Sequence, residues 1–151
     1  MFIDSAVLGP VEVSPENIFY MPEGLYGFDK EGEYALITKQ EDDVTLRWLQ
    51  AVDSHVPCFV VFNPFEIIDG YAPILEPADL RGLNCNSAAD LRFFVIAVVP
   101  EDIRKITVNL KSPIAVNKQD RRARQGILSN PEYPIKFPIF PQEQGGPYAG
   151  D

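Results

Sequence analysis

Apolar and polar positions alternate along short runs that prolines and glycines cut apart, and these runs predict strands. Residues 2–8 (FIDSAVL) alternate, Gly9-Pro10 turns the chain, and Val11-Glu12-Val13 resumes the alternation, which is the pattern of a hairpin. Residues 34–38 (YALIT), 46–52 (LRWLQAV, with Trp48 as its large anchor) and 56–62 (VPCFVVF) read as further strands, the last broken by Asn63-Pro64. The clearest strand is 91–99 (LRFFVIAVV), almost wholly apolar and rich in β-branched and aromatic residues. Residues 106–110 and 114–117 form a last pair around Lys111-Ser112-Pro113. Residues 65–71 are irregular. Residues 76–83 predict one or two helical turns, since Pro77 suits a helix start and Asp79 its first turn. No repeat and no interior linker is visible.

Composition sharpens this picture. The chain has 151 residues, 46% hydrophobic, enough for a core. Its 14 prolines disfavour long helices and central strands alike, so many short elements follow. The expected fold is mainly β: a small, single-domain, barrel-like arrangement of short antiparallel strands with little helix. The domain is expected over residues 1–141, with 142–151 as a flexible C-terminal tail, since that stretch has no periodicity. A net charge of −9 argues against direct nucleic acid binding. The longest apolar run, 93–99, is far short of the roughly 20 residues a membrane helix needs. The start, MFIDSAVLGP, lacks the basic and apolar regions of a signal peptide, so a cytoplasmic protein is expected.

Little in the chain suggests catalysis. Cys58 and Cys85, the only cysteines, do not form a CxxC pair and read as inert thiols. His55, the only histidine, lies in a turn beside Asp53 and Ser54, where sequence neighbours rarely align as a triad. The run Glu41-Asp42-Asp43 lacks the alternate-position spacing and the glycine of a calcium loop. The stretch Gly24-Leu25-Tyr26-Gly27-Phe28 lacks the Lys-Ser/Thr of a phosphate loop and the third glycine of a dinucleotide loop. Its glycines therefore serve shape, as an apolar turn. No cofactor, no metal and no enzymatic activity are expected.

Four stretches carry a family resemblance in their joint order and spacing: residues 19–28 (FYMPEGLYGF), 48–51 (WLQA), 57–65 (PCFVVFNPF) with Asp69-Gly70-Tyr71, and 107–114 (TVNLKSPI) with Asn117. Arg121, Gln125, Ile127 and Leu128 follow in register. The chain resembles the FliW family of flagellar assembly factors from about Phe2 to about Leu128. It departs at Tyr26, where the family usually has proline, at Ala51, where it often has serine, and at Ala123, where it commonly has glycine. The resemblance implies a small β fold, no enzymatic activity and two protein partners. One is flagellin, held before export. The other is CsrA, an RNA-binding translational repressor of flagellin synthesis. Release of flagellin would free the protein to bind and antagonise CsrA. A flagellin-specific export chaperone without CsrA binding, or a small-molecule-binding β-barrel, are the alternative readings.

Magnitudes bound how an acidic protein could weaken RNA binding by CsrA. Unit charges about 15 Å apart in water interact by about 0.3 kcal/mol before screening. Salt cuts this about sixfold, so a diffuse net charge contributes little. At about 7 Å and an effective dielectric near ~40, each carboxylate contributes about 0.5 kcal/mol. Antagonism by repulsion thus needs a local cluster, and the candidates are Glu41-Asp42-Asp43, Glu76 with Asp79, and Glu101-Asp102. The contact itself is expected at apolar anchors: Phe65, Ile67, Ile68 and Tyr71, for which core packing is the competing reading. Asn117, Arg121 and Gln125 form a second candidate surface, for which strand-end and turn hydrogen bonding competes.

Overall fold

The computed structural model describes residues 1–140; the expected tail at 142–151 lies outside the described residues. Eleven strands are described: β1 (Phe2–Ser5), β2 (Gly9–Glu12), β3 (Ile18–Tyr20), β4 (Glu33–Glu41), β5 (Val44–Ala51), β6 (Cys58–Phe62), β7 (Leu91–Val98), β8 (Thr107–Val108), β9 (Ile114–Asn117), β10 (Ala123–Gln125) and β11 (Phe137–Pro138). One short helix, α1 (Pro77–Gly82), starts on proline as its sequence predicts. The fold is mainly β and antiparallel, as expected. β1 and β2 form a separate hairpin, and the other nine strands form one sheet that runs β10-β9-β7-β6-β5-β4-β3, with β8 on β7 and β11 on β8.

"Barrel-like" needs one correction. The sheet rolls until its two ends meet, but they meet only at a parallel bridge between Tyr20 and Arg122, so no ladder closes. The first hairpin is also shifted from its expected register: Asp4 pairs with Pro10 and Ser5 with Gly9, so the turn falls at residues 6–8. Ser5 causes this, because its Oγ accepts from the N–H groups of Val7 and Leu8 at 3.1 Å. The 106–110 strand shortens to β8, while β3, β10 and β11 form where no alternation announces them.

Strand periodicity places side chains on both faces of the rolled sheet. Along β7, Phe94 enters one core with Phe19, Met21, Tyr34, Leu49 and Ile114, while its neighbours Phe93 and Val95 enter a second with Tyr71, Leu83, Val108, Leu110 and Tyr133. Burial on both faces explains why this strand reads as a continuous apolar run. β4 does the same, with Tyr34 and Leu36 in the first core and Ala35 and Ile37 in a third that packs under the hairpin.

Two buried tyrosines differ in one respect that predicts opposite responses. Tyr71 Oη donates to the Leu110 carbonyl at 2.9 Å, whereas Tyr34 Oη, fully buried, has no hydrogen-bond partner among the described residues. Burial pushes the Tyr34 phenol up to about 12, with Glu31 adding to the shift. Tyr71→Phe is expected to cost about 1 kcal/mol, because it strands a buried carbonyl. Tyr34→Phe is expected to be neutral or stabilising by up to about 1 kcal/mol. Urea midpoints moving in the same direction for both variants would contradict this assignment.

Candidate partner-binding surface

The glycine-bracketed turn is a rigid shelf that displays aromatic rings. Gly24 has φ +66°, and a Cβ there would stand 2.5 Å from the Phe28 carbonyl oxygen and 2.6 Å from Asp29 Cα. Only glycine fits both the left-handed backbone and this close approach. Gly27, at φ +87°, makes the second bend. Main-chain bonds set the shape: Gly24 N–H donates to the Met21 carbonyl at 2.8 Å, Phe28 N–H to Leu25 at 2.7 Å, and Met21 N–H to Gly32 at 2.7 Å. Leu25 is buried, while Tyr26 and Phe28 are 58% and 40% exposed, with the Phe28 ring edge-on to Phe59. The Tyr26 N–H, a donor that proline would lack, donates to Gln125 Oε1 at 3.0 Å. Gln125 Nε2 donates in turn to the Ser112 carbonyl at 3.3 Å. Gln125 thus ties the shelf to β10 and to the turn before β9.

Arg124, next in the chain, ties the same shelf to α1. Its Nε donates to Asp79 Oδ1 at 2.7 Å, and its Nη1 donates to Glu23 Oε2. Asp79 is buried and Glu23 is exposed, so the Asp79 half carries the larger consequence. The fit is close: a Cβ on Gly82 would stand 2.6 Å from Arg124 Nη1, and one on Gly126 would stand 3.1 Å from Asp79 Oδ2. Burial, and then Asp79, push the Tyr26 phenol above its ordinary range.

Asn117 and Arg121 hold the corner where β9 turns into β10. Asn117 is buried; its Nδ2 donates to the Leu83 carbonyl at 2.8 Å and its Oδ1 accepts from Gln119 N–H at 2.8 Å. Arg121 sits at φ +64°, directs its Nε at the Ile18 carbonyl at 3.2 Å, and lays its guanidinium 5.6 Å from the Tyr20 ring centre. The corner's bonds are those of strand ends and turns, and Asn117 offers little surface. Ala123 is buried in β10, facing Val116, with no left-handed backbone demanded of it.

The expected apolar anchors divide between core and surface. Tyr71 is a core residue, stacked 4.6 Å from Tyr133, and Ile67 and Ile68 pack half-buried against the same core. Phe65 alone is substantially exposed, at 47%, and its ring stands edge-on to Tyr71 and Phe93. The acidic candidates divide as well. Asp79 is neutralised by Arg124. Arg104 clasps Asp102 through Nε and Nη2, and this holds the Asp102 carboxyl below its usual range. Glu76 precedes α1 and accepts from Ser129 Oγ at 3.0 Å, and Glu101 is exposed. Glu41-Asp42-Asp43 forms the exposed tip of the β4–β5 hairpin, with Asp42 at φ +54° and one compensating contact from Lys39 to Glu41 at 3.3 Å. The tip is thus the most concentrated and least compensated of the three clusters.

The candidate binding residues read from the sequence do not include Arg124, Glu23 or the exposed Tyr26, Ile74 and Ile127, although Glu23, Tyr26 and Ile127 belong to the stretches that carry the resemblance. The pairing of Arg124 with Asp79 of α1, 45 positions away, has no local sequence signature. His55 lies exposed in its turn, 3.5 Å from Asp4. Both thiols are half-buried, and burial pushes both above their ordinary range. Among the described residues there is no cluster of three metal-ligating side chains and no helix long and apolar enough to cross a membrane.

This geometry has close counterparts. The sequence profile of the family described as FliW protein matches residues 3–139. The flagellar assembly factor FliW of Thermoanaerobacter pseudethanolicus is 34% identical over 140 residues, covering 93% of each chain. That of Caldicellulosiruptor saccharolyticus is 36% identical over 138 residues, covering 91% of this chain and 90% of the relative. A crystal structure of the flagellar assembly factor FliW superposes with a TM-score of 0.82 at 27% identity, covering 95% of this chain and 99% of that one.

Proposed function

We propose that this chain, which belongs to the FliW family, is a flagellar assembly factor that works by docking to other proteins and not by chemistry. Its partners in this reading are flagellin, bound in the cytoplasm before export, and CsrA, bound and antagonised once flagellin has left. The match over residues 3–139 carries the proposal. The exposed shelf of Tyr26 and Phe28, braced from beneath by Gln125 and Arg124, supports it. Such a shelf is rigid before binding, so docking on it loses little conformational entropy. Size-exclusion chromatography of the purified protein with CsrA, and separately with flagellin, tests the reading. Co-elution with each is expected, and separate elution from both would overturn it. Co-elution with flagellin alone would instead favour the export-chaperone alternative.

The acidic tip supplies the antagonism in this proposal. Two or three carboxylates at close range, each contributing about 0.5 kcal/mol after screening, give about 1–1.5 kcal/mol of coupling. Converting all three to Gln or Asn (E41Q, D42N, D43N) is expected to weaken antagonism of RNA binding about five- to tenfold. CsrA binding itself and the melting temperature should change little. An RNA competition curve that the triple variant leaves unmoved would rule out repulsion from this tip and leave steric exclusion.

A further inference from the structure

On a chain of net charge −9, one end of the rolled sheet gathers cations. A cleft of about 250 Å³ there is lined by Arg47 of β5, Arg92 of β7 and Lys118 just past β9, with Phe65 and Phe94 among its apolar lining. A second cleft, of about 210 Å³, adjoins it, shares Arg92 and Lys118, and adds Arg121. Among the described residues no carboxylate lies within 4.0 Å of any of these four cations. Arg121 and Lys118 each donate to a main-chain carbonyl, of Ile18 and Ala89 respectively. Arg92 lies 5.0 Å above the Phe94 ring, and neither it nor Arg47 makes a side-chain hydrogen bond among the described residues. Like charges held together in a partly desolvated cleft are unfavourable unless an anion joins them.

We propose that this cleft receives an acidic peptide segment of a partner protein, with a Glu or Asp carboxylate seated among Arg47, Arg92 and Lys118 and an apolar neighbour against Phe65. The cleft is smaller than the sites that hold drug-sized ligands, and it suits one or two side chains. The aromatic lining favours a carboxylate flanked by apolar groups over a bare inorganic ion. The surroundings disfavour a long polyanion: Glu16 lines the adjoining cleft, and the acidic tip ends one residue before β5, the strand that carries Arg47. Two guanidinium groups also match carboxylate geometry with paired donors. The inference concerns this cleft alone and stands whether or not flagellin and CsrA are the partners.

The test titrates the ¹⁵N-labelled full chain with the capped peptide Ac-Leu-Glu-Glu-Leu-NH2 and with its Gln-Gln counterpart. Saturating shifts at residues 47, 65, 92 and 118 are expected from the acidic peptide, and much smaller shifts from the other. Arg47→Gln and Lys118→Gln are each expected to weaken binding about two- to fivefold, with unchanged melting temperatures, and raised salt is expected to weaken it further. Absence of shifts, shifts confined to other residues, or variants that bind as tightly as the parent would overturn the proposal. Inorganic phosphate binding as tightly as the peptide would reassign the cleft to a free anion, and tighter binding of an oligouridylate would reassign it to nucleic acid. Either of those results overturns the peptide assignment.

Discussion

Replacing Arg124 with alanine is expected to destabilise the fold by about 3 kcal/mol. The substitution removes the only cation that, among the described residues, an ion pair gives to Asp79, a carboxylate that is 8% exposed. A buried charge deprived of its partner loses far more than the net value of the pair, because its desolvation is no longer offset. Glu23, on the other side of the guanidinium, is exposed, and Glu23→Gln should change stability by less than about 1 kcal/mol. Asp79→Asn in the Arg124→Ala background should recover part of the loss, since it removes the stranded charge. Urea denaturation measures all three. A loss below about 1 kcal/mol for Arg124→Ala, or no recovery in the double variant, would contradict the pairing as the source of the effect. In the proposed docking role of the shelf, partner binding is expected to fall with it, because Arg124 joins α1 to the shelf that presents Tyr26.

Gly24→Ala is expected to have an effect of similar size, about 2–4 kcal/mol, through a different cause. Left-handed backbone costs an alanine about 1–2 kcal/mol. The added methyl would also meet main-chain atoms at 2.5 and 2.6 Å, which cannot swing aside as a side-chain tip can. Gly27→Ala is the internal control, for its φ of +87° imposes strain while the space around it is open. It should cost about 1 kcal/mol. Equal losses at the two glycines, measured by thermal or urea unfolding, would show that the close approach at Gly24 carries no weight.

The strands that alternate or run apolar were legible from sequence because one or both of their faces meet a core. β9 lies where its four residues place it, and β7 falls one residue short of its expected end. β3, β10 and β11 were not legible. Each has two or three residues, too few for a period to show; β3 and β10 are fixed by pairing with the strands next to them in the chain, β4 and β9, and β11 by pairing with the remote β8. The site was legible in part. The glycines of the shelf were read as serving shape, and the geometry gives them that role. Gln125 was marked, but its bond to Tyr26 across 99 positions has no local signature. Tyr71 was marked as an anchor among apolar neighbours, yet the bond from its hydroxyl to Leu110 directs it inward. Asp79 reads from sequence as a first-turn acid clustered with Glu76, because its partner Arg124 is distant in the chain. A sequence shows which residues are charged and not which charges cancel.

These placements narrow the proposed switch. With Asp79 and Asp102 each paired to an arginine, the proposal assigns repulsion of RNA to the hairpin tip and docking to the shelf. The switch also requires that flagellin and CsrA cannot be held together at full strength. Titrating flagellin into a preformed complex with CsrA, followed by analytical ultracentrifugation, tests that requirement directly. The account predicts release of CsrA as flagellin binds, with the apparent affinity for each partner lowered by the other. A stable ternary complex in which both partners keep the affinities they show alone would contradict it.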